Sequence, residues 1–221
     1  MDLLGENRAI VRKGLPEIQK TENIGLKVLI EEAGLADKVV TDYHIGFIIG
    51  PCINATGRLE SGRQAVELFC SRDEKEAREK AKNLAQLNEE RKHLTEDATM
   101  RADLALQGEN ALQDRVLVLY DPVIHESIAG IVAGRIKDKY YHPTILITGS
   151  EEGAKGSGRS IEGYHLFEAL FENRDLFTRF GGHAMAAGLS LPVENIDALY
   201  SGKNVKESER PWNSTEHTEK Y

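Results

Sequence analysis

The sequence predicts an α/β protein with a helical N-terminal segment, a long connecting helix and a compact α/β domain. Three observations predict it. Apolar residues recur at three- and four-residue steps through the first half of the chain, the mark of amphipathic helices. One such periodic segment, Asp73 to Leu106, is too long and too polar on most faces for a core helix. After Gly108 the pattern changes to short apolar runs separated by one helical repeat, the order of a βαβ unit.

The elements follow in order. Glu6 to Gln19 carries Ile10, Val11, Leu15 and Ile18 at helical spacing, weakened by Gly14 and Pro16. Thr21 is a candidate N-cap for a helix over 22–33, with Ile24, Val28, Leu29 and Ala33 inward and Gly34 closing it. A short helix is expected over 42–49. Gly50 to Arg58, rich in glycine and small polar residues, reads as a loop, and Ser61 is placed to cap a helix over 62–70. Asp73 to Leu106 would reach about 50 Å as one helix. Arg115 to Tyr120 and Thr144 to Thr148 read as buried strands flanking a helix over 127–140 that Pro143 stops. Lys155 to Ser160 reads as a third strand, Tyr164 to Phe171 as a helix, Ala186 to Leu191 as the last strand, and Val193 to Tyr200 as the last helix. The domain boundaries expected are 1–71, 72–108, 109–200 and a polar tail, 201–221, which has no apolar periodicity.

Composition bounds the function. A formal charge of −8 argues against a surface that is basic overall, and leaves room for a local cluster of arginines. Cys52 and Cys70 are too few for a disulfide framework and read as reduced thiols of a cytoplasmic protein. The N-terminus has no basic stretch followed by an apolar run, and no segment has the roughly 18 apolar residues of a membrane helix. There is no Walker-type loop, no G-x-S-x-G and no C-x-x-C.

Four constellations can carry chemistry. In Asn54-Ala55-Thr56-Gly57-Arg58 a glycine beside an arginine can bring amides and a planar guanidinium to one anion. The alternative is a turn with a solvated arginine. Gly156-Ser157-Gly158-Arg159-Ser160 combines close backbone access, hydroxyls and an arginine, as a phosphate backbone requires; the alternative is a flexible turn. Gly181-Gly182-His183, followed by small residues, leaves room for a substrate beside an imidazole, against the alternative of a core histidine at a glycine turn. Asp121, His125 and Glu126 lie past a strand end, but they lack a firm metal-ligand spacing and fit loop shaping and helix capping better. Tyr140, Tyr141, Tyr164, Phe167, Phe171, Phe177 and Phe180 can stack bases, yet they fall on or beside apolar faces that suit a core.

Taken together, these motifs resemble the RecJ-type single-stranded-DNA exonucleases of the DHH phosphoesterase superfamily. Ile49 to Leu59 is similar to the element I-G-P-x-I-N-A-x-G-R-L that ends the DHH domain. His125-Glu126 with Gly130-Ile131-Val132-Ala133 and Arg135 resembles the opening of the DHHA1 domain. Gly158-Arg159-Ser160-Ile161 with Leu166 to Leu170, then Phe180 to His183 with Ala186-Ala187-Gly188, resemble its next two blocks. The resemblance runs from about residue 2 to about residue 199.

It implies a remnant of the DHH domain over 1–71 and a DHHA1-type domain with a mixed sheet over 109–200. It also implies 5′-to-3′ digestion of single-stranded DNA in repair and recombination, with Mn²⁺ or Mg²⁺ held by D-x-D and D-H-H motifs that this sequence lacks. No metal is therefore expected on this chain alone, and the chain alone is expected to be inactive. Arg58 and Asn54 would meet a DNA phosphate, Ser157, Gly158 and Arg159 would hold the strand, and Gly181 and Gly182 with His183 would face the scissile phosphate. Single-stranded-DNA-binding protein and other repair factors are the partners implied. The tail from Ser201 departs from the family pattern and suggests a fragmentary or shifted reading frame. Two rival readings stand beside this one: a non-catalytic nucleic-acid-binding DHHA1 module, as appended to alanyl-tRNA synthetases, and a fragment of an oligonucleotide or cyclic-dinucleotide phosphodiesterase.

Overall fold

The computed structural model describes residues 4–107 and 114–200, so the expected tail lies outside the described residues. The chain divides into two compact units, one up to His93 and one from Leu94.

The first unit is helical: α1 (Gly5–Ile18), α2 (Ile24–Glu32), α3 (Asp42–His44), a π-helical turn (Ile45–Ile49), α4 (Gly50–Leu59), α5 (Arg63–Cys70) and the first part of α6 (Glu74–Ala105). Its core joins Val28 and Leu29 of α2, Ile49 and Cys52, Leu68 of α5, and Ala77, Ala81 and Leu84 of α6. Asn23, rather than Thr21, caps α2, because its Oδ1 accepts the Leu26 amide at 2.9 Å. Gly34 ends the helix region with a positive φ of 70°, as its position suggests.

Residues 50–58, expected as a loop, form a helix instead. Pro51 stands in the first turn of α4, where a missing N–H costs no internal bond. The helix is nonetheless continuous with what precedes it. Gly50 donates to the Ile45 carbonyl in a wide π turn, so the proline ring does not meet a regular carbonyl four residues back. Glycine and proline, read singly as breakers, here mark a locally widened helix.

The second unit is an α/β sandwich. Its sheet has five strands in the order β1 (Leu117–Tyr120), β2 (Thr144–Ser150), β3 (Gly153–Arg159), β5 (Ala186–Leu191), β4 (Arg179–His183). The β1 and β2 strands pair in parallel across helix α7 (Glu126–Tyr140), and every other pair is antiparallel. The sheet is mixed, as expected. Helix α7 and the end of α6 cover one face, through Ala98, Ala102, Ile128, Val132 and Ile136 against Leu117, Leu119 and Leu146. Helices α8 (Leu166–Phe171) and α9 (Ile196–Tyr200) cover the other, against Ile145, Ile147, Ala187, Leu189 and Leu191.

The strand β4 was missed in the sequence, where Gly181-Gly182 looked like a turn. Gly182 does take a positive φ of 154°. A side chain there would run into the Ala186 carbonyl oxygen and the Ala187 Cα of the neighbouring strand. The glycines therefore serve close pairing of β4 with β5, within an element two short glycines disguise.

Candidate nucleic-acid interface

The register of three strands assembles the site. Arg159 of β3 lies opposite Ala186 of β5, which lies opposite His183 of β4. One step along, Gly158, Ala187 and Gly182 form the next row, and then Ser157, Gly188 and Gly181. Two motifs more than twenty positions apart in sequence thus lie two strands apart, about 10 Å at the usual strand spacing. Residues directly opposite each other share a face, and neighbours along a strand alternate. Ser157, Arg159, Ala186, Gly188, Gly181 and His183 therefore share the α7 face. Gly158, Ala187 and Gly182 belong to the reverse face, where Ala187 is buried and a side chain on Gly158 would strike Leu166. Gly158 is thus a packing residue, while Ser157 and Arg159 face the candidate surface.

Helix α7 covers the sheet only as far as β3. Beyond it Gly188, Gly181 and His183 are exposed, and a side chain built on Gly181 or Gly188 would meet open space. The result is a trough with a floor of small residues. Its α7 side opens into a pocket of about 280 Å³ lined by Glu126, Ser127, Thr148, Lys155, Ser157 and Gly188, among others.

Arg159 is held in place by its own strand. Its Nη1 donates to the Gly158 carbonyl at 2.7 Å and to Ser157 Oγ at 3.1 Å. Gly130 of α7 makes room for this arrangement: a Cβ there would lie 2.5 Å from Arg159 Nη2 and 2.8 Å from Ser157 Oγ. The guanidinium is therefore wedged between helix and sheet, half-buried, with its geometry set by a glycine on a different element. His183 Nδ1 accepts the Met185 amide at 3.3 Å. A neutral ring bonded that way carries its proton on Nε2, which stands as a donor.

The remaining expected residues divide clearly. In the first unit, Asn54 and Arg58 stand one turn apart on α4, the i and i+4 spacing that places two side chains on one face. Asn54 is exposed and Arg58 half-exposed, while Thr56 turns inward and donates to the Ile53 carbonyl at 2.8 Å. Asp121 is engaged by Arg101 at 2.7 and 3.1 Å and accepts the Val123 amide. Burial works to raise its pKa, yet the Arg101 hydrogen bond and the Val123 amide outweigh it and hold the carboxyl below its usual range. His125 caps α7 by accepting the Ser127 amide. Glu126 pairs with Lys155 at 2.7 Å.

Among the described residues no three His, Cys, Asp or Glu groups stand together as a metal site. Phe167, Phe177 and Phe180 pack as a cluster behind the sheet, with ring centroids 5.6 Å apart for Phe180 with each of the other two. Tyr164 is partly buried there too, which pushes its hydroxyl pKa up to about 12.

Sequence reading missed two cations on the same face. Arg179, Ser190 and Lys155 form the row beyond Ser157, Gly188 and Gly181. Lys155 was legible, since it stands two and four residues before Ser157 and Arg159 in an expected strand. Arg179 was not, because its strand went unseen.

The fold of the second unit and the glycine-lined face define a known class: residues 113–202 match the DHHA1 domain family. Beyond that domain, most of the chain is similar to RecJ exonucleases. It is 38% identical over 90% of its length to the single-stranded-DNA-specific exonuclease RecJ of Bacillus subtilis, covering 25% of that protein. Against the enzyme of the same name from Escherichia coli it is 35% identical over 86% of its length, covering 34%. A crystal structure of RecJ in complex with Mg²⁺ from Thermus thermophilus superimposes with a TM-score of 0.80 at 33% identity, over 91% of this chain and 31% of that one. A structure of exonuclease RecJ bound to manganese gives 0.80 at 32% identity, over 95% and 51%. The chain thus spans a quarter to about a third of the curated relatives. No helix of the described residues is long and apolar enough to cross a membrane.

Proposed function

We propose that this chain is the strand-holding part of a RecJ-type exonuclease acting 5′ to 3′ on single-stranded DNA. The observation that carries the reading is the shared face of Ser157, Arg159 and His183 over an open glycine floor. Arg159 presents a bidentate fork suited to a phosphodiester, and Ser157 orients it. Exposed Gly181 lets a strand approach the backbone closely, and the tight β5 pairing at Gly182 fixes the position of His183. His183, through Nε2–H, donates to a phosphoryl oxygen and supports charge that develops in the transition state. Asn54 and Arg58, one turn apart on a helix of the first unit, are suited to a phosphate.

Phosphodiester hydrolysis in this family would draw on Mn²⁺ or Mg²⁺, and Asp121 and Glu126, paired with Arg101 and Lys155, do not fit that role. The cutting step would belong to residues outside this span, in cytoplasmic DNA repair and recombination alongside single-stranded-DNA-binding protein. Fluorescence anisotropy with a labelled single strand tests the reading. Binding should weaken with salt by a slope of about −0.7 per phosphate engaged, and Arg159→Ala should weaken it a further 10- to 100-fold, roughly the value of a charge-assisted hydrogen bond. The same chain with Mn²⁺ should leave the strand intact. Salt-independent binding or digestion of the strand would overturn the proposal.

A further inference from the structure

The Ser157–Arg159–His183 surface continues past the residues that any motif singled out. Along β3, Lys155, Ser157 and Arg159 stand on one face, and along β4, Arg179, Gly181 and His183 do the same. Between them β5 supplies Ala186, Gly188 and Ser190. The trough therefore has Arg159 and Lys155 at the two ends of one wall, and His183 and Arg179 at the two ends of the other. Arg159 faces His183 across Ala186, and Lys155 faces Arg179 across Ser190, each pair about 10 Å apart across three strands. The two rows are separated by four residues of strand, roughly 13 Å.

The second row is only partly neutralised from within. The Arg179 side chain is exposed and makes no hydrogen bond or ion pair among the described residues. Lys155 is paired with Glu126, but both side chains are close to half exposed, at 47% and 45%, so the pair is weak and can open to an incoming anion. Ser190 Oγ lies between the two cations, on a floor with no bulky side chain. In a chain of net charge −8, two cations facing each other over a serine are a local concentration of positive charge.

We infer that Arg179 and Lys155, with Ser190 beneath them, bind a second phosphate of the same strand, so that the nucleic acid lies along β5. This rests on the reading of Ser157, Arg159 and His183 as a first phosphate site. A dinucleotide reaches only one row.

A ladder of 5′-phosphorylated single strands, two to eight nucleotides long, tests the inference by anisotropy on the whole chain. Arg179→Gln is an exposed change and should leave thermal unfolding unmoved. It should leave dinucleotide binding unchanged and weaken binding of the six- and eight-mers about fivefold or more, with the salt slope reduced by about 0.7. Arg179→Lys should restore most of the loss. Arg159→Ala should weaken every length. If Arg159→Ala weakens all lengths while Arg179→Gln changes none, or changes all equally, the second phosphate site is overturned and the first stands. If Arg159→Ala changes nothing, the underlying reading falls, and a length-dependent effect of Arg179→Gln would then mark a separate anion site.

Discussion

At the residue scale, most of the candidate site depends on what glycine leaves empty. Gly130 is the clearest case, since it carries no function itself yet sets where Arg159 can be. A methyl group at 130 meets the far end of a flexible guanidinium and the Ser157 hydroxyl rather than backbone. Gly130→Ala should therefore fold normally, helped by the better helix propensity of alanine, about 1 kcal/mol. It should displace the guanidinium and weaken single-strand binding nearly as far as Arg159→Ala does. Urea denaturation beside a binding titration checks both halves; undiminished binding would show that the wedge does not position Arg159. Residues of this kind were partly legible. Ser157, Arg159 and His183 stand out by chemistry, whereas Gly130 acquires meaning only when α7 is laid across β3.

At the element scale, the sequence was clearest where burial on one face enforces a period. Strands β2 and β5 and helices α6 and α7 came out near their expected limits for that reason. It failed where a local signal has two meanings. Gly50-Pro51 suits a loop yet leads from a π turn into a helix, and Gly181-Gly182, which suits a turn as well as a substrate approach, forms an edge strand. The same ambiguity hid Arg179.

Helix α6 shows a second element-scale effect, since polar contacts fasten its last turns within the second unit. Asp103 accepts from Lys139 and from Tyr140, and Arg101 grips Asp121. The Lys139 hydrogen bond first, and that of Tyr140 second, hold the Asp103 carboxyl below its ordinary value of 3.8. A carboxyl depressed in the folded state stabilises above its unfolded pKa and ceases to do so as pH falls through the folded one. The stability gap between the parent chain and Asp103→Asn should thus be full near neutrality and close as pH drops below about 4. Thermal melts of the two proteins from pH 7 to pH 2.5 measure it, and a gap that persists at the acid end would assign the contact to packing alone.

At the scale of the whole molecule, two cores share one helix, through Ala77, Ala81 and Leu84 on one side of His93 and Ala98 and Ala102 on the other. Sequence reading took this helix for a connector by its length and polarity. Its alanine-rich stripe carries the further information that close-packed bodies are built on it. The acidic net charge likewise concealed a basic trough, because charge summed over a chain says nothing about the side of a sheet on which cations collect. Alternation along paired strands decides that, and pairing is not written in any single segment.

The central claim is that a single strand of DNA lies on the open face of β3, β5 and β4. Amide NMR of the isotopically labelled chain, titrated with a short single strand, tests it most directly. The claim predicts that the amides of Ser157, Arg159, Gly181, Gly182, His183 and Gly188 shift together at the lowest DNA concentrations, while those of α8 and α9 behind the sheet stay still. Shifts gathered on the α8 and α9 side, with the six unmoved, would contradict it.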